Sequence, residues 1–530
     1  MKKMKKFVGM VLAVMMVLAM SVTAMAATVT VDSDLSGHKF AAYQIVKGTV
    51  ASSGILSNPE WGTGIDSSAF LTALKADTEI GTTFTSCSTI DEFVSALAAA
   101  NSDTALANKV AKIAYANKSN VKTEIPAGSV NVVVEDGYYL VVDETNIAAQ
   151  DLAANAALLQ VVGAIKITKK TDKPTVEKKV KENTKYTSDE GYGEGYNDVA
   201  DYNMGDSVPF KLIGSVPSME YYDKYYYEFS DTMSKGLTLD EASIKVYTAT
   251  NKMGTDKAEI TGWTKAITLN ADRTTSFQIK FSDLKSTLTG TTAKYILVEY
   301  NAVLNHEAVV GRPGNPNEVK LIYSNNPDQS GEGENSPKGE TPEDYVIVFT
   351  YELDTKKVDG NNNAPLSGAK FKLKNFEGKW AVVNSNGKVS SWDTEENATE
   401  LESGADGLFK VIGLDAGTYY LKETAAPSPE YNLLKDLVKV EIEANTANGQ
   451  SWTSGDAKDA LIDLTVKADG TKGTTDTNFG IGAIEIANNK GGILPETGGR
   501  GVKLFYVIGS VLVLGAVVLL VTRRRMNAQK

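Results

Sequence analysis

The sequence predicts a mostly β protein of three tandem β-sandwich domains, the first with added helices, followed by a transmembrane helix near the C-terminus. Short segments that alternate apolar and polar residues recur between turn signals along most of the 530 residues, a pattern typical of β-sandwiches. One Ala-rich stretch, residues 90–117, instead has apolar residues at helical spacing. An apolar run close to the C-terminus is just long enough to cross a bilayer.

Changes in composition divide the chain into five parts. The first boundary between domains falls in a Lys/Thr/Pro-rich stretch at 168–175, and the second falls in a polar stretch with Gly and Pro at 324–343. The expected parts are a processing segment, three domains and a terminal segment, at 1–26, 27–168, 169–343, 344–489 and 490–530.

The N-terminus has the pattern of a secretory signal peptide. Four lysines within the first six residues precede an apolar run at 7–20, and Ala-Met-Ala at 24–26 is a small-x-small cleavage pattern. A first transmembrane helix is the alternative, but the run is short for a bilayer and a cleavage pattern follows it. We therefore expect a secreted chain that begins at residue 27.

Three features follow one another at the C-terminus: a pentapeptide, an apolar run at 504–521 and an arginine cluster at 523–525. A plain transmembrane anchor would need only the last two. The order of all three resembles the wall-sorting signal that sortase transpeptidases read in Gram-positive bacteria. That resemblance implies cleavage between Thr497 and Gly498 and transfer of the Thr497 carbonyl to an amine. The pentapeptide is Leu494, Pro495, Glu496, Thr497 and Gly498.

Charge and cysteine content exclude some classes of protein. The formal charge of −12 becomes about −22 after loss of the four lysines of 1–26 and the six basic residues after Thr497. A chain this acidic should not attract nucleic acid or anionic lipid at long range. The single cysteine, Cys87, has no internal disulfide partner, and we expect it to be a buried apolar residue.

The third domain has the most specific motif. Lys357-Val358-Asp359 follows an alternating strand, PLSGAKF follows at 365–371, and GTYYLKETAAP follows at 417–427. These segments resemble a CnaB-type immunoglobulin-like domain, and the last resembles the E box of Gram-positive pilins. The resemblance implies an isopeptide bond between a Lys on the first strand and an Asn on the last, promoted by a buried acid. The usual continuation Ala-Pro-x-Gly-Tyr is replaced here by APSPEY at 426–431, which puts the following loop in doubt.

The alternation of residues supports a specific set of side chains for this bond. Lys357 shares a strand face with apolar residues, and so does Asn488, whereas the alternative acceptor Asn489 points to the other face. Burial lowers the pKa of a lysine and makes its neutral amine nucleophilic, and burial favours the protonated form of an acid. We expect Lys357 to attack the side-chain carbonyl of Asn488 while Glu423 polarises it, with loss of ammonia.

The middle domain resembles the fimbrial isopeptide-forming domain of backbone pilins, with ADYNMGD at 200–206 as the corresponding segment. Lys178 shares a face with Val176 and Val180, and Asn325 shares a face with Leu321 and Tyr323. The resemblance then implies a bond between Lys178 and Asn325 with Asp201 as the acid. Asp206 is the second choice for the acid, and a simple acidic turn at Asp201 is the alternative.

Taken together, these features resemble the sortase-assembled backbone (major) pilins over nearly the whole chain. Those proteins carry an acceptor Lys between the first and second domains, in a motif like Tyr-Pro-Lys-Asn. The corresponding segment of this chain, residues 167–171, matches that motif loosely and aligns Lys170 with its lysine. Lys169 and Lys173 are the alternatives. Any lysine-rich linker would also show such a cluster.

The resemblance implies a structural shaft subunit of a surface pilus, a sortase substrate that supports adhesion and has no enzymatic activity beyond forming its own cross-links. The partners implied are sortase, other copies of the chain, peptidoglycan, minor pilins and host surface ligands, with no nucleic acid and no cofactor. The sequence contains no Cys/His cluster of the kind that binds a metal ion. The Asp and Asn residues at 359–363 suit a calcium site, but a tight turn between strands explains them better. A non-polymerised wall adhesin and a minor pilin at the tip or base remain alternatives.

Overall fold

The structure is a computed structural model, and it confirms a mostly β chain whose sandwiches succeed one another, with helices in the first domain and at the C-terminus. It describes residues 27–50, 56–99, 103–148, 151–154, 157–161, 164–168, 172–183, 191–329, 333–447, 460–491 and 500–527.

The first domain packs two small sheets beside a group of helices. Its strands are β1 (Ala27–Val31), β2 (Phe40–Val50), β3 (Leu56–Trp61), β4 (Thr123–Ile125), β5 (Val132–Val134), β6 (Gly137–Asp143), β7 (Ala157–Val161) and β8 (Ala164–Ile167). One sheet has the order β5-β1-β8, with β1 and β8 parallel, and the other has the order β3-β2-β6-β7, with β4 paired to β2.

The helical text at 90–117 forms two helices, as predicted. Asp103 caps the second of them by accepting a hydrogen bond of 3.0 Å from the Leu106 N–H, the usual role of an aspartate at an N-cap. An aromatic cluster of Phe70, Phe84 and Phe93 fills the core under the helices. The helices of this domain are α1 (Ser67–Ala76), α2 (Gly81–Phe84), α3 (Ile90–Ala99) and α4 (Thr104–Ala116).

The middle domain is a sandwich of a six-stranded and a seven-stranded sheet. Its elements are β9 (Val176–Lys181), β10 (Tyr196–Asn197), β11 (Val199–Asp201), β12 (Ser207–Ser215), β13 (Tyr227–Met233), β14 (Leu237–Ala249), β15 (Ala258–Glu259), β16 (Thr264–Leu269), β17 (Thr275–Phe281), α5 (Leu284–Thr287), β18 (Tyr295–Leu304), β19 (Asn315–Ser324), β20 (Lys338–Glu340) and β21 (Asp344–Phe349). The first sheet has the order β10-β9-β12-β18-β14-β15, and the second has the order β11-β21-β19-β13-β17-β16, with β20 paired to β19.

The third domain is a smaller sandwich of a four-stranded and an eight-stranded sheet. Its strands are β22 (Tyr351–Asp359), β23 (Lys370–Asn375), β24 (Trp380–Val383), β25 (Val389–Asp393), β26 (Leu401–Glu402), β27 (Leu408–Leu414), β28 (Gly417–Ala425), β29 (Val438–Thr446), β30 (Leu461–Ala468), β31 (Thr471–Lys472), β32 (Thr474–Asp476) and β33 (Ile481–Asn488). The small sheet has the order β27-β22-β33-β32, and β28 lies inside the large sheet between β23 and β29.

The boundary between the middle and third domains differs from the expected one at 343/344. The apolar text that begins at 345 forms two strands, because β21 pairs with β19 of the middle domain and β22 pairs with β27 and β33 of the third. Thr350, between them, is buried and donates a hydrogen bond of 3.2 Å to the Leu414 carbonyl. A continuous apolar run has no period that marks where a chain leaves one sheet for the next.

The middle and third domains meet through specific backbone contacts. Arg312 donates to the Leu461 carbonyl at 3.1 Å from Nε, and Asn203 accepts a hydrogen bond of 3.1 Å from the Asp415 N–H. Gly311 has a φ of +63° and lies so close to Gly480 that a Cβ would be 2.3 Å from its nitrogen, so only glycine fits there.

The last described element is helix α6 (Arg500–Asn527). Residues Leu504–Met526 have a mean hydropathy of 2.8 and make no buried contact with the domains. This fits the predicted transmembrane segment, with the arginine cluster at its end.

Candidate cross-link sites and attachment segments

The third domain brings together the three side chains that its sequence motif predicts. Lys357 on β22 and Asn488 on β33 lie on neighbouring parallel strands, in register with Ile486 and Asp359 respectively. Glu423 reaches Asn488 from β28 in the opposite sheet, where the Asn488 Nδ2 donates to its two carboxylate oxygens at 2.9 and 3.0 Å. Lys357 and Asn488 are fully buried, and Glu423 is 4% exposed.

Burial shapes the chemistry of this site. Desolvation lowers the pKa of Lys357 to about 8, against the opposing attraction of Glu423 and Asp359. Among the described residues, the Lys357 Nζ donates to main-chain carbonyls alone, those of Ile486 at 2.9 Å and Val358 at 3.3 Å. The Asn488 Oδ1 is buried and has no hydrogen-bond partner within the part of the chain that the structure describes. A fraction of the amine is therefore neutral near pH 8, beside an amide whose carbonyl oxygen has room for a new donor.

The loop after the E-box strand, where the sequence departs from the family pattern, completes the site. The Leu434 N–H donates to Glu423 at 2.7 Å, and the Asn432 carbonyl accepts from Asn488 at 3.0 Å. Tyr431 donates to Asp359 at 2.7 Å. The loop thus positions the acid and the amide together, and APSPEY serves in place of the usual glycine-containing turn.

The middle domain contains a second buried lysine with an acid and an amide. The Nζ of Lys178 on β9 is in direct contact with the Asp231 carboxylate on β13 and lies 2.7 Å from the Asn317 Oδ1 on β19. All three side chains are fully buried. The chemistry expected for Lys178 therefore has its groups in place, although two of them are not the predicted ones.

A tyrosine links the acid and the amide of this site. Tyr300 donates to the Asp231 Oδ2 at 2.9 Å and accepts from the Asn317 Nδ2 at 2.9 Å. Its ring stacks on Phe210, with 5.3 Å between the centroids, and both rings shield Lys178 from water. Desolvation lowers the pKa of Lys178 and raises that of Asp231, so burial favours the neutral form of each group.

The structure brings neither Asn325 nor Asp201 to Lys178. Asn325 lies near the junction with the first domain, where its Nδ2 is 3.5 Å from the Asp151 carbonyl oxygen. Asp201 faces the third domain and accepts from the Tyr351 hydroxyl at 3.0 Å. The second-choice acid, Asp206, pairs with Asn203 at 2.9 Å.

The amide beside Lys178 differs from the predicted one because of where the strands lie in the sandwich, and not because the wrong strand face was predicted. Asn317 lies on β19, and Asn325 follows the end of that strand eight residues later. Both have the same place in the alternation, so a period of two cannot distinguish them. In the third domain the first and last strands are parallel neighbours, so Lys357 and Asn488 near their ends lie close together. In the middle domain β9 and β19 belong to opposite sheets, and Lys178 reaches the start of β19 across the core.

The sequence around Asp231 already indicates that this residue is unusual. It alternates with Tyr227, Phe229 and Met233 on the buried face of β13. A carboxylate in the middle of an apolar face needs a buried partner, and Lys178 is the matching lysine on the apolar face of β9. Pairing the carboxylate on the apolar face of β13 with the lysine on the apolar face of β9 would have suggested Asp231 as the acid.

In the described part of the first domain, no lysine is buried. The buried basic and carboxylic side chains of that part are His38 and Asp143, at 3% and 8% exposure. Cys87 is buried, as expected, and desolvation raises the pKa of its thiol. The first domain thus offers no lysine cross-link of the kind described above among the residues that the structure covers.

The attachment segments are only partly described. The pentapeptide Leu494 to Gly498, the signal peptide, Lys169 and Lys170 lie outside the described residues. Lys173 is described, and its Nζ lies 3.3 Å from the Asp151 carboxylate.

No group of three or more metal-binding side chains occurs within the described ranges. The Asp/Asn text at 359–363 forms a tight turn, with Asp359 accepting from the Asn361 N–H at 2.8 Å and Asn363 at a φ of +57°. This turn is the tight strand connection that the sequence favours over a calcium site for these residues.

Comparison with protein-family models gives two matches. Residues 351–456 match SpaA, a prealbumin-like fold domain. Residues 204–327 match the Gram-positive pilin backbone subunit 2, Cna-B-like domain. The first match contains Lys357 and Glu423, and the second contains Asp231 and Asn317.

Curated and solved relatives agree with these matches. The trypsin-resistant surface T6 protein of Streptococcus pyogenes serotype M6 is 29% identical over 369 residues, which are 61% of this chain and 65% of that protein, just under two thirds of its length. The T6 backbone pilin structure from serotype M6 Streptococcus pyogenes is 18% identical, with 89% of this chain and 100% of that chain covered and a TM-score of 0.47. The major pilin SpaD of Corynebacterium diphtheriae is 14% identical, with 88% and 98% covered and a TM-score of 0.45. The resemblance to Gram-positive backbone pilins is thus confirmed in sequence, while the superpositions are too loose to compare individual sites.

Proposed function

We propose that this chain is the shaft subunit of a covalently polymerised surface pilus of a Gram-positive bacterium. The observation that carries the proposal is the pair of buried lysine, acid and amide sets in two domains that match pilin models. The signal peptide, the linker lysines and the C-terminal sorting pattern complete the features that such a subunit needs. Its role is structural, and its only chemistry is internal and occurs once.

In the third domain, the proposed reaction joins Lys357 to Asn488. The neutral Lys357 amine attacks the Asn488 side-chain carbon, a C–N bond forms, and the C–Nδ2 bond breaks. The proton that leaves Nζ has to reach Nδ2 so that ammonia departs, and Glu423 touches Nδ2 with both oxygens. Glu423 therefore serves as the acid that protonates the leaving group. Its contacts with Asn488 are with Nδ2 and not with the side-chain carbonyl oxygen that the sequence analysis expected it to polarise.

In the middle domain, we propose the bond between Lys178 and Asn317, with Asp231 as the acid, in place of the predicted bond to Asn325. Asp231 takes the proton from the attacking Lys178 amine. Tyr300 contacts both Asp231 and the Asn317 Nδ2, so it can pass a proton from the acid to the leaving nitrogen. The products are again one amide and one ammonia.

The two bonds would also stabilise the subunit. Each closes a loop of more than 100 residues, and by the chain-entropy argument for disulfides that is worth roughly 5 kcal/mol of unfolding free energy. A bond between strands that are distant in sequence also carries tension directly from one to the other, a useful property in a fibre under load.

For polymerisation, we propose that sortase cleaves between Thr497 and Gly498 and transfers the Thr497 acyl group to a linker lysine of another copy, with Lys170 as the first choice. Helix α6 would hold the uncleaved chain at the membrane until then. The basal subunit, or a minor pilin, would be transferred to peptidoglycan instead.

Denaturing gels of cell-wall extracts test this function. A shaft subunit gives a ladder of covalent multimers, and Lys170→Ala collapses that ladder if Lys170 is the acceptor. A single band from the unaltered chain would contradict the shaft role and favour a non-polymerised adhesin. Peptide mapping of the multimers then locates the branched peptide that contains Thr497.

A further inference from the structure

A buried histidine connects three parts of the chain where the first domain meets the middle domain. The His38 Nδ1 lies 2.7 Å from the Asp143 Oδ2, and its Nε2 lies 2.9 Å from the Asp151 Oδ2. Asp143 ends β6 of the first domain, whereas Asp151 belongs to the segment 151–154, which we call the bridge segment. The ring thus joins the body of the first domain to the bridge segment.

The two carboxylates beside the His38 ring also contact other groups. Asp143 accepts from both the N–H and the hydroxyl of Thr145, at 3.0 and 2.6 Å. Asp151 faces the Lys173 ammonium at 3.3 Å. Each carboxylate therefore has a second polar partner, besides lying within hydrogen-bond distance of one nitrogen of the His38 ring. The ring is thus held between two carboxylates that are themselves fixed in place.

The bridge segment is anchored in both domains. Its Ala154 N–H donates to Asp143 at 2.9 Å, which fixes one end to the first domain. Leu152 is fully buried and belongs to the core of the middle domain, and the Ala153 N–H donates to the Asn325 carbonyl at 2.8 Å. A change in the contact between His38 and Asp151 would therefore alter how the two domains meet.

The same carboxylate reaches the lysine-bearing linker. Asp151 pairs with Lys173, three residues before β9 begins and directly after the segment that holds the other candidate acceptors. Use of Lys173 as the acceptor would require its amine to leave this contact with Asp151. The contact thus suits Lys173 to hold the linker rather than to accept the acyl group.

We infer that His38 and Asp151 form a clasp between the first and middle domains, and that Lys173 is held by this clasp as a positioning residue for the acceptor segment instead of being the acceptor itself. This inference rests on the proposed sortase-linked polymerisation. It assigns a role to Asn325 as well, since this residue receives the bridge segment and does not form the cross-link.

A reaction with separate donor and acceptor chains tests the clasp. The donor is the mature chain with its pentapeptide and with Lys169, Lys170 and Lys173 replaced by Arg, so that it cannot accept. The acceptor is the mature chain ending before Leu494, so that it cannot donate. The assembling pilus sortase joins them, and the initial rate of the heavier product is measured. His306→Gln is the matched control, because the chain has only two histidines and His306 lies between the middle and third domains.

We expect His38→Gln and Asp151→Asn acceptors to react at least about tenfold more slowly, since displacement of a reacting group by about an ångström has effects of this size or larger. The same substitutions in the donor, and His306→Gln in either chain, should leave the rate unchanged. An equal rate for His38→Gln acceptors would overturn the clasp. So would a slow His38→Gln donor, because the effect would then come from general misfolding.

Two substitutions of Lys173 distinguish a positioning role from an acceptor role. Lys173→Arg keeps the positive charge but removes the amine, so we expect it to react like the unaltered acceptor, whereas Lys173→Ala should be slower. Loss of all product with Lys173→Arg would make Lys173 the acceptor and contradict the inference.

A second measurement does not depend on sortase. Hydrogen exchange of the Ala153 and Ala154 amides should become faster in His38→Gln than in His306→Gln, because the bridge segment loses an anchor; unchanged exchange would refute the clasp. If the unaltered acceptor gives no product at any linker lysine, the proposed function fails, and hydrogen exchange still decides whether the clasp exists.

Discussion

The two candidate cross-link sites use the same kinds of side chain in different arrangements. In the third domain, Lys357 and Asn488 lie in one sheet on adjacent parallel strands, and Glu423 reaches Asn488 from the other sheet. In the middle domain, Lys178 lies in one sheet while Asp231 and Asn317 both lie in the other. The comparison teaches that the chemistry requires proximity and burial, and that more than one strand order can supply them.

The two sites also differ in whether the lysine contacts the acid. Lys178 touches Asp231 directly, whereas Lys357 donates to main-chain carbonyls and has no carboxylate in hydrogen-bond contact among the described residues. In the middle domain a hydroxyl bridges the acid and the amide, because Tyr300 lies between them. In the third domain the acid touches the amide directly. The proton therefore has a different route in each site.

Removal of each proposed acceptor amide should have the largest effect. Asn317→Ala should abolish the middle-domain bond, and Asn488→Ala should abolish the third-domain bond, because each removes the electrophilic carbon. The intact mass of the unaltered mature chain should be two ammonia molecules below the calculated value, and that of each variant only one below. Asn325→Ala is the matched control for the middle domain and should keep both bonds. A variant at Asn325 that loses a bond would restore the original assignment.

Tyr300→Phe should slow the middle-domain bond and leave the third-domain bond unaffected. It keeps the ring packed against Phe210 but removes the proton path to the leaving nitrogen, a contribution typically of about 100-fold or more. Cell-free synthesis, quenched in acid at intervals and followed by peptide mass analysis, measures both bonds in one sample. Equal rates for both bonds in this variant would exclude a proton relay through the hydroxyl.

The two bonds should respond differently to pH. Lys357 must lose its proton to the solvent, and its pKa is lowered to about 8, so the neutral amine and the rate should rise about tenfold per pH unit below that value and level off above it. In the middle domain the proton passes from Lys178 to Asp231, and their total charge does not change. Formation of that bond should therefore vary little with pH. The same quenched time courses, run at several pH values, compare them.

A flat profile for the third-domain bond would mean that Lys357 passes its proton within the site, as Lys178 does. A steep profile for the middle-domain bond would mean that Asp231 does not take the proton. Glu423→Gln is the control that abolishes only the third-domain bond and so identifies which mass change belongs to which site.

Sequence reasoning found the third-domain site because its pattern is local to each strand. Lys357, Glu423 and Asn488 each interrupt an apolar face, and the structure places the acid and the amide in contact and the lysine on the neighbouring strand. In the middle domain the same reasoning led to Lys178 and to the face of β19 that carries Asn317. It did not predict that Asp231 and Asn317 lie beside Lys178, because the position along a strand that faces Lys178 depends on how two sheets pack.

By itself, the sequence determined the mostly β architecture, the helices of the first domain, the terminal apolar segment and which residues lie on buried strand faces. These follow from local periodicity and composition. Only the tertiary structure decided which buried groups meet across a sandwich, that Thr350 divides two domains, and that His38 joins the bridge segment to the first domain. Alternation specifies the face of a strand, but the partner across the core is set by the packing of sheets that are distant in sequence.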